Sequence, residues 1–460
     1  MLVVVSDLHL ADGTAGDHNL KPQVYVDLLD RIAVAHAQVR EFNPQSRVEI
    51  VYAGDIFDLR RTHFWAQQQD VTPWRHFNTV VGDEHAKAPQ GGEQPGGYLD
   101  RSVQLFNQIM THQNVSPIKG ILGNVLADRF GGVEPTRLYI PGDSDRLINM
   151  HPGLRARVID FLGLDLGRSV PWNPDLRFPT HYIEPGHGVL IRHGHEWDVY
   201  SFEGDHERLE PQDYDCIPMN DLITTELFAQ LTFEASRIQP GADGNQQAID
   251  LFRHKLEQLD NVRPVSSVVQ WLTRHFVGAD EKKMLADCIG RALTNFNAKD
   301  YVKWWLSSSG HDKWYNPLDE ADRLELLLTS LKNLWLGKIG AAMKIYDKFA
   351  AYDPYERYVE KAGEEEAALQ DGSYVKYVVY GHTHYPQHVA LQFLGEEGQP
   401  QRDLHYVNVG SLRPTHQVTR DGKNFFVTES LCFAIFYRQD ERPAAMGPTF
   451  ELNAGFRSRI

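Results

Sequence analysis

Six short blocks of Asp, His and Asn, each directly behind a predicted strand, constrain this chain more than any other feature. The block that organises the rest is Tyr380-Gly381-His382-Thr383-His384. Residues 374–379 before it are rich in β-branched and aromatic types and read as a strand. Gly381 ends that strand in a tight turn. His382 and His384 stand two residues apart, so an extended segment points both to one face. There each imidazole can serve one ion of a paired metal site. Alone, an H-x-H pair is as readily a solvated loop pair in a chain holding 21 histidines. The earlier blocks decide between the two.

They come in order. Residues 2–6 form a short buried strand that runs into Asp7-Leu8-His9, again two ligand types at i and i+2. Asp7 by itself would equally suit a helix N-cap. Residues 22–37 place Val24, Leu28, Leu29 and Ile32 on one helical face. Residues 47–52 are the next strand, followed by Ala53-Gly54-Asp55-Ile56-Phe57-Asp58. Asp55 thus sits at a carboxyl strand end, where open α/β sheets place ligands. A carboxylate has two oxygens and can bridge two cations, so Asp55 is the bridging candidate and Asp58 an outer partner. Residues 61–100 are loop-rich, with a glycine cluster at 91–97, and 102–110 is helical. Two glycine turns then compete for the third block, Gly123-Asn124 and Gly142-Asp143-Ser144-Asp145. A strand at 189–192 leads into His193-Gly194-His195-Glu196. After His384, strands are expected at 388–393, 405–409 and 425–436, with a sharp turn at Asn408-Val409-Gly410-Ser411 and an irregular tail from Arg442.

Between residues 199 and 370 the Asp/His blocks stop and the pattern turns helical. Asn316 can cap a helix that starts at Pro317, with Asp319 and Glu320 in its first turn. Leu324, Leu327, Leu328, Leu331, Leu334 and Trp335 then form one apolar stripe, the usual mark of helix–helix core. Trp304-Trp305 suits the same core, and Glu364-Glu365-Glu366 reads as a solvated face. The block is an all-helical insertion, a cap beside the site.

At 460 residues the chain exceeds one ordinary domain. Its hydrophobic content of 42% and charged content of 23% are those of a soluble globular protein. No apolar run approaches the ~20 residues of a membrane span, so no integral membrane segment is expected. The first five residues lack the basic region and cleavage site of a signal peptide. Cys216, Cys288 and Cys432 form no ligand spacing and fit a reducing, cytoplasmic setting. A formal net charge of -16 disfavours a nucleic-acid partner held through its phosphates.

In sequence, D-x-H, G-D-x-x-D, G-D-S-D, H-G-H, G-H-T-H and N-V-G-S resemble the calcineurin-like metallophosphoesterases. That family's pattern is D-x-H, G-D-x-x-D, G-N-H-D/E, a lone His before Gly, and G-H-x-H. The resemblance covers about residues 1–198 and 374–436. Within the family, the sub-group of UDP-2,3-diacylglucosamine pyrophosphatases looks nearest. Gly54-Asp55-Ile56-Phe57-Asp58-Leu59 and Gly381-His382-Thr383-His384-Tyr385-Pro386 read like its blocks. Its helical lid also lies between the lone His and G-H-x-H, although this chain is far longer.

The resemblance implies an α/β (α+β) fold of two packed sheets flanked by helices. Residues 1–198 and 371–460 would form the metallophosphoesterase domain and 199–370 the helical cap. It implies that Asp7, His9 and His384 hold one metal, that Asp55 bridges, and that Asp143, His193 and His382 hold the second. Asp58, Asp145 and Asn408 would stand behind them. A hydroxide bridging two metals ~3.5–4 Å apart would attack phosphorus in line. Oxygen and imidazole ligands without thiolate suit two divalent ions, Mn foremost, with Fe, Zn or Mg also fitting.

The third block departs from the family. Asp143 replaces an Asn and adds a negative charge, which makes a bridging water less acidic or favours a more highly charged metal. Ser144 replaces the family histidine, and a hydroxyl cannot do acid work near pH 7 as imidazolium can. His195, two residues from His193, is the candidate substitute, so Asp143, Ser144 and His195 are the catalytic candidates. Another alignment gives Asn124 the ligand role, with Val125 where the histidine would stand; the lead-in Tyr139-Ile140-Pro141 favours 142–145. A nucleotide or phosphate leaving group needs little protonation. The expected substrate is therefore a phosphodiester or pyrophosphate, nucleotide-containing esters included. The alternatives are a phosphomonoesterase or protein phosphatase, a nuclease, and a metal-binding protein that acts through its helical insertion.

Overall fold

The computed structural model describes residues 1–68, 71–74, 95–204, 209, 211–240, 245–263, 267–308, 320–338, 355–368, 375–394, 402–419, 424–442 and 449–458. Its strands are β1 (Leu2–Val5), β2 (Glu49–Ala53), β3 (Thr136–Ile140), β4 (His181–Glu184), β5 (Val189–Arg192), β6 (Val262–Arg263), β7 (Tyr377–Tyr380), β8 (Gln387–Leu394), β9 (Arg402–Asn408), β10 (Pro414–Val418), β11 (Phe425–Phe436) and β12 (Phe450–Ser458). They form two mixed sheets in a mixed α/β fold.

The first sheet runs β3-β2-β1-β11-β10-β6, with β12 also paired to β11. β1, β2 and β3 are parallel. β11 is long enough to serve two neighbours on one edge, β1 at residues 434–436 and β10 at residues 425–429, while β12 follows its other edge. The second sheet runs β4-β5-β7-β9-β8, with β5, β7 and β9 parallel.

Why these segments are strands follows from their side chains. Leu2-Val3-Val4-Val5 is apolar on both faces, the pattern of a strand covered on both sides. Successive residues point to opposite faces. Leu2 and Val4 therefore meet Val189, Ile191, Val379 and Val407 of the second sheet. Val3 and Val5 face the other way, into a core with Leu28, Leu29 and Ile32 of the helix Pro22–Phe42. The outer face of the second sheet buries Leu190, Val378, Tyr380 and Tyr406 against Trp197, Tyr358 and Ala362. Fully burying each such side chain stabilises by about 1.5–3 kcal/mol. The two sheets thus pack face to face with helices outside them.

Several expectations need correcting. The helices at 22–37 and 102–110 extend to Pro22–Phe42 and Tyr98–Thr111. Gly123 is no strand-end turn; it caps the helix Ser116–Leu122. Within the tail after Arg442, Phe450–Ser458 is not irregular but forms β12, paired with β11. The stretch between β5 and β7 is not all-helical among the described residues, since β6 pairs in parallel with β10. Elsewhere that stretch is helical: residues 219–236, with a π-helical middle at Ile223–Ala229, then Gln246–Glu257, Val268–His275, Ala279–Ala298, Asp300–Ser308, Glu320–Trp335 and Glu356–Ala368. Leu327, Leu328, Leu331, Leu334 and Trp305 are buried as expected, but Trp335 is 42% exposed. Glu365 is not solvated; it is buried and accepts from Arg192 Nε at 2.9 Å and Tyr380 Oη at 2.6 Å. Asn316, Pro317 and residues 91–94 of the glycine cluster lie outside the described residues. Among the described residues, no helix is long and apolar enough to cross a membrane.

Candidate metal centre

The parallel strands bring their carboxyl ends together from both sheets. Just beyond those ends stand Asp7 and His9 (β1), Asp55 (β2), Asp143 (β3), His193 (β5), and His382 and His384 (β7). Their ligand atoms fall into two groups, Asp7 with His9 and His384, and Asp55 with Asp143, His193 and His382, each within 4.8 Å internally. His384 Nε2 lies 3.0 Å from His9 Nε2 and 3.1 Å from Asp7 Oδ1. In the other group Asp143 Oδ1 lies 3.5 Å from His193 Nε2 and 3.3 Å from His382 Nδ1. Asp55 Oδ2 belongs to both, standing 3.4 Å from His9 Nε2 and 3.4 Å from His193 Nε2.

The backbone is bent to achieve this. Asp7 (φ 57°), His9 (48°), Asp55 (53°), His382 (63°) and His384 (60°) all have left-handed backbone. Among the described residues Leu209 alone joins them outside glycine. Such a conformation costs on the order of 1–3 kcal/mol per residue and persists only where the surroundings enforce it. Here the turns hold one another: Asp7 N donates to Gly54 O at 3.1 Å, His9 N to Asp55 O at 2.9 Å and Gly381 N to His193 O at 2.9 Å. The left-handed backbone at His382 and His384 replaces the extended segment expected there, and each imidazole falls in its own group. Gly54 (φ 88°) is required twice over, because a Cβ there would strike the His193 ring. A Cβ on Gly142 would strike Asp55 Oδ1.

Outer partners fix the imidazoles. His193 Nδ1 meets the Ala53 carbonyl at 2.9 Å, so it carries the proton and Nε2 presents its lone pair to the centre. His9 Nδ1 meets Asp58 Oδ2 at 3.0 Å. His382 Nε2 meets Asp198 Oδ2 at 3.0 Å. Asp145 ties the second and third blocks together, accepting from Gly142 N at 2.6 Å and Ile56 N at 2.9 Å. Asn408 Nδ2 donates to Gly381 O at 2.6 Å, and its Oδ1 accepts from Gly410 N at 3.0 Å, which pins the His382 turn to the end of β9.

The catalytic candidates divide. Asp143 is in the centre. Ser144 is 2% exposed, and its hydroxyl donates to the Phe57 carbonyl at 2.9 Å, while its N–H donates to Asp55 Oδ1 at 2.9 Å. His195 is buried, its Nδ1 without a hydrogen bond and 3.6 Å from Glu196 Oε2, its ring 5.3 Å from that of His193 and 6.3 Å from that of His382. Asn124 follows the helix Ser116–Leu122 with its carbonyl taking Arg137 Nη2 at 2.9 Å. Asp143, not Asn124, stands beside Asp55, His193 and His382.

Asp198 and Arg60 are among the residues that escaped the sequence reading. Asp198 lies five residues past His193, just beyond its block. Arg60 lies two past Asp58, and its Nη1 donates to Asp143 Oδ2 at 2.7 Å. The extra negative charge of Asp143 is therefore compensated in place.

The donor set fits a hard or borderline cation. Asp7 Oδ1, Asp143 Oδ1 and His193 Nε2 are buried and have no hydrogen-bond partner. Leaving a buried polar atom unsatisfied costs about 1–3 kcal/mol, and three such atoms inside two tight O/N groups are what a cation resolves. The protonation pattern agrees. Burial opposes charge on Asp143, yet Arg60 and His382 hold its carboxyl well below the usual range. Burial also opposes charge on His382, but Asp143 and Asp198 push it up to about 10. In the metal-free fold the His382 proton takes the positive role beside Asp143 that a cation would take.

No family model, curated protein or solved structure matches the chain.

Proposed function

We propose that the chain is a metal-dependent phosphoric ester hydrolase with two divalent ions, Mn first among Mn, Fe, Zn and Mg, and that it cleaves a phosphodiester or pyrophosphate bond. The observation that carries the reading is Asp55, one of whose oxygens lies 3.4 Å from an imidazole nitrogen of each group. That is the placement of a ligand shared by two cations. Two sheets packed face to face with helices outside support the resemblance to the calcineurin-like sandwich. Ions held there would supply Lewis-acid stabilisation of phosphoryl charge and an acidified water.

The chain's own groups do the rest. Asp58, the Ala53 carbonyl and Asp198 orient His9, His193 and His382. Arg60 offsets Asp143. The Ser144 proton is engaged by Phe57, so it is withheld from a leaving group. This supports esters whose leaving groups depart as stable anions, nucleotides and phosphates included, over alkyl monoesters. Three free, buried cysteines suit a cytoplasmic protein.

The test is hydrolysis of bis(4-nitrophenyl) phosphate and 4-nitrophenyl phosphate after chelation and after return of Mn²⁺. The reading expects no activity after chelation, recovery with Mn²⁺, and preference for the diester. A metal-saturated protein that turns over neither ester would instead be a metal-binding protein acting through its helices.

A further inference from the structure

The helical stretch between β5 and β7 reaches into the centre through Asn220 and Asp221, at the start of its 219–236 run. Asn220 Nδ2 donates to Asp143 Oδ2 at 3.2 Å. Asp221 Oδ1 lies 3.4 Å from Arg60 Nη1, the same nitrogen that holds Asp143 Oδ2 at 2.7 Å. Asp221 Oδ2 accepts from Arg146 Nε and Nη2 at 3.0 and 2.7 Å. Arg60, Asp143, Arg146 and Asp221 are all buried. Asp221 therefore stands between two guanidinium groups and keeps the charge of Arg60 from falling wholly on Asp143. Asp143 has one oxygen held from behind, and Oδ1 is left without a partner beside His193 and His382.

We infer that Asp221, helped by Asn220, is the positioning residue for Asp143 as a cation ligand, so that the helical stretch sets the affinity of the His193/His382 half of the centre. The inference rests on the two-cation reading. Remove the Asp221 charge and Arg60 and Arg146 face each other without a shared anion. Arg60 then draws harder on Asp143, and the net local charge becomes more positive. Both changes weaken cation binding at that half. Toward the Asp7/His9/His384 half, Asp260 of this stretch holds Arg61 at 2.9 Å, and Arg61 donates to the His9 carbonyl at 3.1 Å.

The test is titration of Mn²⁺ into metal-free wild type, Asp221→Asn, Asp221→Glu and Asn220→Ala, followed by calorimetry and electron paramagnetic resonance. Outer-sphere partners typically contribute about 10–100-fold in metal affinity. Wild type should take two ions. Asp221→Asn should keep one at wild-type affinity, bind the other about 10–100-fold more weakly and lose the spin-coupled two-ion signal. Asp221→Glu should recover part of that loss, and Asn220→Ala should move the same ion by a smaller factor. Asp221→Asn with both affinities unchanged overturns the proposal. If Asp221→Asn does not fold, Asn220→Ala decides, and unchanged affinity there overturns it equally. Wild type that binds fewer than two ions brings down the two-cation reading, and the proposal with it.

Discussion

Asp198 Oδ2 lies 3.0 Å from His382 Nε2, while the other nitrogen of that ring faces Asp143 Oδ1 at 3.3 Å. A carboxylate behind an imidazole fixes its tautomer and makes it a better ligand. Asp198→Ala is expected to weaken Mn²⁺ binding about 10–100-fold, read by calorimetric titration of the metal-free protein. Unchanged affinity would mean that His382 is held by packing alone.

Gly54 cannot be replaced cheaply. Its φ of 88° and the His193 ring over its Cα leave no room for a methyl group. Gly54→Ala should lose about 1–3 kcal/mol in denaturant unfolding and bind metal less tightly, because His193 must shift. An alanine variant with wild-type stability and affinity would contradict the close approach.

The Ser144 hydroxyl is engaged by the Phe57 carbonyl, which makes an anchoring role the expected one. Ser144→Ala removes one hydrogen bond and should cost about 1 kcal/mol, with the diester-to-monoester ratio of kcat/KM unchanged. Ser144→His has to fit an imidazole into a position that is 2% exposed, so overpacking of about 1–3 kcal/mol is expected. A Ser144→His protein with unchanged Tm and a monoester kcat/KM raised about 10²-fold would overturn this assignment.

Acid should unpick one junction of the fold. Asp260 pairs with Arg61 at 2.9 Å and Arg413 at 2.8 Å. Burial disfavours its charge, yet Arg413 and Arg61 hold its carboxyl well below the usual carboxylate range. The folded value lies under the unfolded value of about 3.9, so the pairing stabilises above pH ~4 and is lost as pH falls through the folded value. Metal-free Asp260→Asn should be less stable than wild type at pH 7 by about 1.5–3 kcal/mol, with the gap closing below pH ~4. A gap that stays constant with pH would show that the carboxylate charge is not what matters.

The candidate ligands were legible because strands covered on both faces announce themselves and end abruptly. Leu2-Val3-Val4-Val5 before Asp7 and Tyr377-Val378-Val379-Tyr380 before His382 are continuous apolar runs closed by polar turns. Partners chosen across the fold were not legible. Nothing near Asp58 tells that Arg60 turns to Asp143, 83 residues on, or that Asp221 will face it. Glu365 sits in a run of three glutamates, and only the docking of its helix on the second sheet selects it for Arg192. β12 was missed because Gly455 and polar residues break its pattern, and it is a strand by virtue of the long edge β11 offers. The left-handed turns at Asp7, His9, Asp55, His382 and His384 also left no sequence signal, since none of the five is glycine.

The central claim is that Asp55 joins two cations, and metal stoichiometry tests it most directly. Elemental analysis of purified wild type and Asp55→Ala, each loaded with Mn²⁺ and freed of excess, should give two ions per chain in wild type and fewer than two in the variant. Wild type that holds no divalent ion, or Asp55→Ala that retains both, would contradict the account.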